Sequence, residues 1–453
     1  MASTKPSLVE YFYKPEGPEP HQCGYCKSDN TSISNGMWAH QLTCQDYKDL
    51  IDRGWRRSGK YCYKPIMNRT CCPLYTIKCD APSFQLSKSQ KTVMKKVNRY
   101  LEFGSTKLPD TLSTSKQPTA VAEDASVKST KTVTPGVGQD PDKPLCRKAK
   151  EVRRERKMEK LKPQEDQSSA GATAIPPQES STAHDLKKSM EDFLPYLTKS
   201  KAHKLEIKLV QSTPRSPEFK ATFKESCALY RKYQIAVHKD KPSDCTEEQF
   251  VRFLVDSPLI PSKNSTGSIE YGSFHQHYYI DGKLIMVGVV DMLPNCLSSV
   301  YVYYDPDIMF LSPGVYSALS EIAAVRRLQK KDPTFQYYYM GYYVHSCPKM
   351  NYKGQYTPSF LACPETYNWV PIEKCKIKLD ANKYSRFEEN SEIKPVAVDS
   401  YIEQALVFYE QQCMPYEIFK VLCQHDMSHK KIKEYAELVG KDITHRMILY
   451  MEE

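Results

Sequence analysis

No aromatic residue falls between Phe103 and Phe193 of this 453-residue chain, although Phe, Trp and Tyr make up 11% of the whole. Ser, Thr, Lys, Pro, Asp and Ala dominate that stretch, and Pro135-Gly-Val-Gly138 interrupts it. Such a segment cannot bury enough apolar surface to offset its chain entropy, which predicts a disordered or charged insert over 104–190. The insert leaves a Cys-rich N-terminal domain, residues 1–103, and a C-terminal body, residues 191–453. Two or three domains are expected of a chain this long. Within the insert, Arg147 to Lys162 carries nine basic and three acidic residues. It reads as a solvated charged helix at least as well as a nuclear signal or an RNA-contacting arm.

Four cysteines mark the N-terminal domain: Cys23 and Cys26 in Gln-Cys-Gly-Tyr-Cys, and the adjacent pair Cys71-Cys72. Four thiolates gathered by folding form a ligand set for a metal ion or an iron–sulfur cluster, and Cys-x-x-Cys serves either. The vicinal pair leans towards a [4Fe–4S] cluster, whose separate irons take two neighbouring sulfurs more easily than one Zn²⁺ does. The plain alternatives are reduced thiols or a Cys71–Cys72 disulfide acting as a redox switch.

The sixteen cysteines are scattered, and Met1 to Ser7 has no apolar core of a signal peptide. The apolar run Leu284 to Val290 falls far short of the ~20 residues that span a membrane. A reducing compartment, cytoplasm or nucleus, is the expectation. The net charge of +10 favours a polyanionic partner without naming one.

The C-terminal body mixes strands and helices. Asp281-Gly282 between apolar runs predicts a hairpin, since this dipeptide supplies the positive φ values of a tight turn. Residues 298–304 read as a third strand, and Ser312-Pro313 as an N-cap opening a helix with Val315, Leu319, Ile322, Val325 and Leu328 on one face. Phe335 to Val344 reads as a further strand. The order meander, helix, strand is that of the acetyltransferase-like (GNAT) fold. Two later helices are expected, one burying Ile402, Ala405, Leu406 and Tyr409. The other buries Ile432, Tyr435, Ala436 and Val439 and stops at Gly440.

Several motifs then converge. Cys23-Gly-Tyr-Cys26, Gly-Met-Trp-Ala-His (36–40), Asp-Arg-Gly-Trp-Arg-Arg-Ser-Gly (52–59) and Cys71-Cys72-Pro73 resemble the N-terminal domain of eukaryotic arginyl-tRNA–protein transferases. Tyr271-Gly-Ser-Phe-His-Gln276, the run 287–305 and Gly-Tyr-Tyr-Val-His-Ser-Cys-Pro-Lys-Met (341–350) resemble their C-terminal domain. The resemblance covers both folded segments and leaves out only the insert. It implies an α+β protein with a cluster- or zinc-bearing N-terminal domain and a doubled GNAT-like catalytic domain. It also implies transfer of arginine from arginyl-tRNA to the α-amine of proteins beginning with Asp, Glu or oxidised Cys, marking them for ubiquitin-dependent degradation. The implied partners are arginyl-tRNA and those acceptors, with neither membrane nor DNA. Cys44 and Cys62 are further thiols in the matched region.

The implied reaction is aminolysis of an activated ester, so the amine must lose a proton and the carbonyl must be held in line. Asp291, at the end of an apolar strand, is the first candidate to take that proton, although an Asp there also simply closes a strand. Tyr342, Tyr343 and His345 flank the equivalent place in the later strand. An acidic acceptor residue needs cationic or polar donors, for which His275, Gln276, Lys349 and Lys353 lie in the matched motifs. The competing readings are a structural histidine and lysines that contact phosphate. Arg53, Arg56, Arg57 and Lys60 form a basic patch suited to the tRNA backbone. Of fourteen tyrosines between 271 and 356, some are expected to stack on the tRNA 3′ end and most to be strand residues.

Two other functions compete. An acetyl-CoA-dependent acetyltransferase needs a Gly-rich pyrophosphate loop before the central helix, where this chain has Phe-Leu-Ser-Pro-Gly-Val, so no CoA is expected. The other is a non-catalytic RNA-binding protein that senses metal or redox state.

Overall fold

The computed structural model describes residues 5–105, 190–193, 202–423 and 425–451. The expected insert over 104–190, with its basic run, lies almost wholly outside the described residues.

The described strands follow in chain order as β1 (Leu8–Tyr11), β2 (Ser34–Thr43), β3 (Arg56–Ser58), β4 (Tyr61–Pro65), β5 (Tyr75–Asp80), β6 (Leu205–Thr213), β7 (Leu259–Ile260), β8 (Ser262–Lys263) and β9 (Glu270–Ile280). They continue as β10 (Lys283–Leu293), β11 (Cys296–Tyr304), β12 (Tyr337–Tyr343), β13 (Ser359–Ala362), β14 (Trp369–Pro371), β15 (Leu406–Tyr409), β16 (Gln412–Pro415) and β17 (Ile448–Tyr450). Together with the helices they make a mixed α+β fold on two mixed sheets. One sheet has the order β16-β15-β17-β1-β2-β4-β3, with β7 beside β2. The other has the order β14-β13-β5-β12-β11-β10-β9-β6, with β8 beside β9.

The two segments expected as separate domains are interleaved. β1 runs parallel to β17, Leu8 opposite Ile448. β5 is inserted between β12 and β13, antiparallel to both. Tyr75 to Cys79 are all buried, as befits a central strand covered on both faces. One apolar core accordingly runs from Val9 and Tyr47 through Leu319 to Val439 and Leu449. A second core lies between β9–β11 and the Pro217–Tyr233 helix.

The hairpin at Asp281-Gly282 forms as expected, with φ of 51° and 81° between paired Ile280 and Lys283. The helix Pro313–Gln329 buries Leu319, Ile322 and Val325 completely, each contributing about 1.5–3 kcal/mol of apolar burial. Ser312, however, takes a left-handed conformation and makes no side-chain cap bond, so Pro313 alone marks the helix start. The helix Asp426–Val439 buries the four expected residues and ends at Gly440.

The helix expected around Ile402–Tyr409 does not form. Ile402–Gln404 is a single 3-10 turn and Leu406–Tyr409 is strand β15. A left-handed Glu410-Gln411 turn folds β15 onto β16, and β17 takes its other edge. These two pairings override a spacing that suits a helix equally well.

Candidate active site and metal centre

Two hydrogen bonds curl residues 23–28 into a tight turn: Ser28 accepts from the Cys23 N–H (2.9 Å) and Cys23 accepts from the Lys27 N–H (3.0 Å). A third, from the Cys71 N–H to the Thr31 carbonyl (3.0 Å), lays the vicinal pair against that turn. The Sγ atoms of Cys23, Cys26, Cys71 and Cys72 thereby come within 4.8 Å of one another. All four are free thiols, so no vicinal disulfide is formed. The exposed Cys26 thiol is drawn down to about 6, chiefly by hydrogen bonds from Ser28 and then by Cys71, while burial pushes Cys72 up. A tetrahedral thiolate site with metal–sulfur bonds of about 2.3 Å needs sulfurs roughly 3.8 Å apart, and this donor set fits. Cys44 and Cys62 belong instead to the main apolar core. Cys23 and Cys72 pack on Val344, beside Cys347 and Met350, at the end of β12.

That strand end is one wall of a cleft. β11 and β12 pair in parallel only through Cys296–Ser298 and Tyr337–Tyr339, then part, and the register of β11 on β10 slips at Val300. The Pro313–Gln329 helix flanks the opening, leaving a cavity of about 530 Å³. A bulge in β12 at Gly341 (φ +69°) turns two carbonyls out of the ladder. The Gly341 carbonyl accepts from Arg56 Nη2 (2.9 Å) and the Tyr342 carbonyl from Lys353 Nζ (2.8 Å). Arg56 also lies over the Tyr342 ring, 4.8 Å from its centroid. Burial, and then repulsion from Arg56, bring Lys353 down to about 7. Lys349 is an exposed lining residue of this basic end. Further along the lining lies Glu321, 1% exposed, whose carboxyl burial raises above the usual carboxylate range.

The profile described as "Arginine-tRNA-protein transferase, N terminus" matches residues 21–92, and "Arginine-tRNA-protein transferase, C terminus" matches 225–363. The first holds all four cysteines, and the second holds most of the cleft. The chain is 38% identical to arginyl-tRNA–protein transferase 1 of Drosophila melanogaster, over 98% of this chain and 99% of that protein. It is 34% identical to arginyl-tRNA–protein transferase 2 of Arabidopsis thaliana, over 83% of this chain and 78% of that protein. Aspartate/glutamate leucyltransferase of Pseudomonas syringae pv. syringae shares 36% identity over 148 residues, 32% of this chain and 54% of that protein. This chain belongs to the arginyl-tRNA–protein transferase family.

In this transferase the structure brings together some of the expected site residues and removes others. Tyr342, Lys349, Lys353 and Arg56 meet in the cleft. Asp291 is fully buried, and Arg57 grips it with both ends: Nε donates to Oδ2 at 2.9 Å and Nη2 to Oδ1 at 2.6 Å. Ser273 adds a third donor at 2.7 Å. A carboxylate so saturated is a structural anchor with no approach for an amine, and Arg57, although it touches the lining of the cleft, is spent on that carboxylate. His275 is buried, donates through Nε2 to the Leu254 carbonyl (3.0 Å) and is pushed down to about 4 by burial, so it is no cationic donor. Gln276 accepts from the Tyr278 hydroxyl and lines a different, apolar cavity. Tyr343 and His345 turn from the cleft into a chain in which His345 Nε2 donates to Asp380 (2.8 Å). Arg53 binds the Glu437 and Leu438 carbonyls and lies over Tyr367, tying the two ends of the chain together. Lys60 remains partly exposed in an adjacent cavity.

Glu321 was missed. Its signal was present: it falls within the apolar stripe of its helix, between the positions of Val325 and Leu328 around the axis, where a lone charge is out of place.

Proposed function

We propose that this transferase moves arginine from arginyl-tRNA to the N-terminal α-amine of proteins that begin with Asp, Glu or oxidised Cys, marking them for ubiquitin-dependent degradation. The observation carrying the acceptor preference is the basic end of the cleft, where Lys353, Lys349 and Arg56 stand together and, among the described residues, none of the three is paired with a carboxylate. Lys353 donates to the acidic side chain, while the amine, with a reference value near ~7.7–8.0, attacks the ester in its neutral form. Tyr25 and Tyr352, 37% and 40% exposed at the lining, offer rings to the single-stranded acceptor end, and Lys60 and Lys349 offer charge to its phosphates. Transfer of labelled arginine to an Asp-starting peptide, in the presence of tRNA and its synthetase, tests the whole reading. A protein that transfers acetyl from acetyl-CoA instead, or transfers nothing, overturns it.

The doubled GNAT-like architecture is part of this proposal. It is supported by the β9–β10–β11 meander, the slip at Val300 and the parallel β11–β12 pair that separates beside the Pro313–Gln329 helix. Action in cytoplasm and nucleus is proposed with it.

A metal centre on Cys23, Cys26, Cys71 and Cys72 is proposed as well, its bound group supplying a covalent tie between two loops. Sulfurs within 4.8 Å of one another favour a single tetrahedral ion such as zinc over the expected [4Fe–4S] cluster, whose corner irons hold their thiolates further apart. Anaerobically purified protein should be colourless with one zinc per chain. Brown protein with stoichiometric iron and sulfide returns the assignment to the cluster, and absence of any metal rejects the site.

The pH dependence follows from Lys353. It carries its charge below about 7 and loses it above. The KM for an Asp-starting peptide should therefore rise as pH climbs from 6.5 to 9, and Lys353→Arg, which stays charged, should flatten that rise. Lys353→Met should raise KM roughly ten- to a hundredfold at pH 7, the range of a hydrogen bond to a charged group. A wild-type KM that is level across the range removes Lys353 from the acceptor pocket.

A further inference from the structure

Glu321 is the unexplained carboxyl group of the cleft. Its Oε1 accepts from the Ser317 hydroxyl (2.7 Å) one helical turn earlier, and its Oε2 accepts from the Tyr338 hydroxyl of β12 (2.6 Å). Gly288 of β10 makes room for it, since any Cβ there would stand 3.0 Å from Glu321 Oε1. Among the described residues, no Lys, Arg or His stands at ion-pair distance from this carboxylate, and the influences on its ionisation are burial and hydroxyl donors alone. Ser299 acts on it as a third hydroxyl, which leaves one of the roughly four positions at which a carboxylate accepts hydrogen bonds. A fold that clears a pocket for a carboxylate, orients both its oxygens and withholds a cation leaves the cation to be supplied from outside.

We propose that Glu321 binds the guanidinium of the arginyl group carried by arginyl-tRNA, and so selects arginine as the transferred amino acid. This inference rests on the arginine-transfer reading above and names the residue that gives that reading its donor specificity. A guanidinium donates charge-assisted hydrogen bonds to a carboxylate and stacks on aromatic faces. The ring hydroxyls of Tyr352 and Tyr356, both lining residues, lie close enough to feel the Glu321 charge. The cleft then carries complementary poles: an anion for the cationic donor at Glu321, and cations for the acidic acceptor at Lys353 and Arg56.

The test compares wild type with Glu321→Gln, which keeps the size of the side chain and one acceptor oxygen, turns the other position into a donor and removes the charge. One tRNA is charged with arginine or, by a ribozyme, with leucine, and kcat/KM is measured for transfer of each to an Asp-starting peptide. The ratio of arginine to leucine should fall roughly ten- to a hundredfold in the variant, with an unchanged melting temperature. If both transfers fall equally, Glu321 serves the common backbone amine or the fold; if neither falls, it has no role in the site. Either result overturns the assignment. A second measurement does not depend on transfer: arginine methyl ester, with norleucine methyl ester as control, is titrated into both proteins by calorimetry. Arginine-specific heat in wild type that is lost in Glu321→Gln supports the site. Equal binding of the arginine ester to both proteins, or to neither, rejects it. A wild type that binds the arginine ester but transfers no arginine separates failure of the parent reading from failure of this one.

Discussion

Replacing Asp291 with alanine should lower folding stability by about 3–5 kcal/mol, because it strands a buried guanidinium. Arg57 and Asp291 have side chains only 2% and 0% exposed, and they are 234 residues apart in sequence. Arg57 Nη1 also reaches the Gly59 carbonyl at 3.2 Å, so the charge is held in the core and cannot swing to solvent. Against a typical total of about 5–15 kcal/mol, such a loss is a large fraction of what keeps a chain folded. The double change Arg57→Met with Asp291→Leu removes both charges and should recover most of that loss, since paired apolar groups of similar size replace a buried ion pair at little cost. Urea unfolding of the three proteins provides the comparison. If Asp291→Ala unfolds at the wild-type midpoint while arginine transfer disappears, the residue belongs to catalysis and the structural assignment is wrong.

Changing Cys72 to serine should abolish stoichiometric metal and, with it, most of the transferase activity. Changes one shell outside a metal site already cost 10–100-fold in affinity or activity, so loss of a ligand should exceed about a hundredfold in affinity. The effect should reach the cleft through a short path. Cys72 packs on Val344 beside Met350, and Met350 and Tyr25 both line the cleft. The expected damage is local: hydrogen exchange should accelerate at 21–33 and 344–356 and stay slow in β9–β11, which draw on a separate packing layer. Chelation of metal from wild type should reproduce the pattern. Full activity in metal-free protein, or uniform loosening of the whole chain, would contradict this local role.

The elements legible in the sequence share one property: their determinants lie within a few residues. Asp281-Gly282 specifies its own turn through backbone conformation, and Gly440 ends the Asp426–Val439 helix in the same way. The helix at 313–329 announces itself by apolar spacing and Pro313. Cys-x-x-Cys and the vicinal pair advertise a ligand set, and the dense motifs of both segments point to the family without any geometry.

What the tertiary structure alone decided depends on distant partners. Nothing near Tyr75–Asp80 says that it will separate β12 from β13, and nothing near Leu8 says that it will lie beside Ile448. Leu406–Tyr409 has apolar spacing that suits either a helix or a strand, and only the edges of β16 and β17 settle it. The candidate acid–base and cationic residues divided for the same reason. Asp291, Arg57 and His275 look reactive in a linear reading, yet the fold spends their charge or hydrogen bonds on one another and on backbone carbonyls. Glu321 looks misplaced in a helix stripe until β10 withdraws a side chain at Gly288 and β11 parts from β12. A side chain's type is local information. Whether it is buried, paired or presented to a substrate is set by whatever the rest of the chain packs against it.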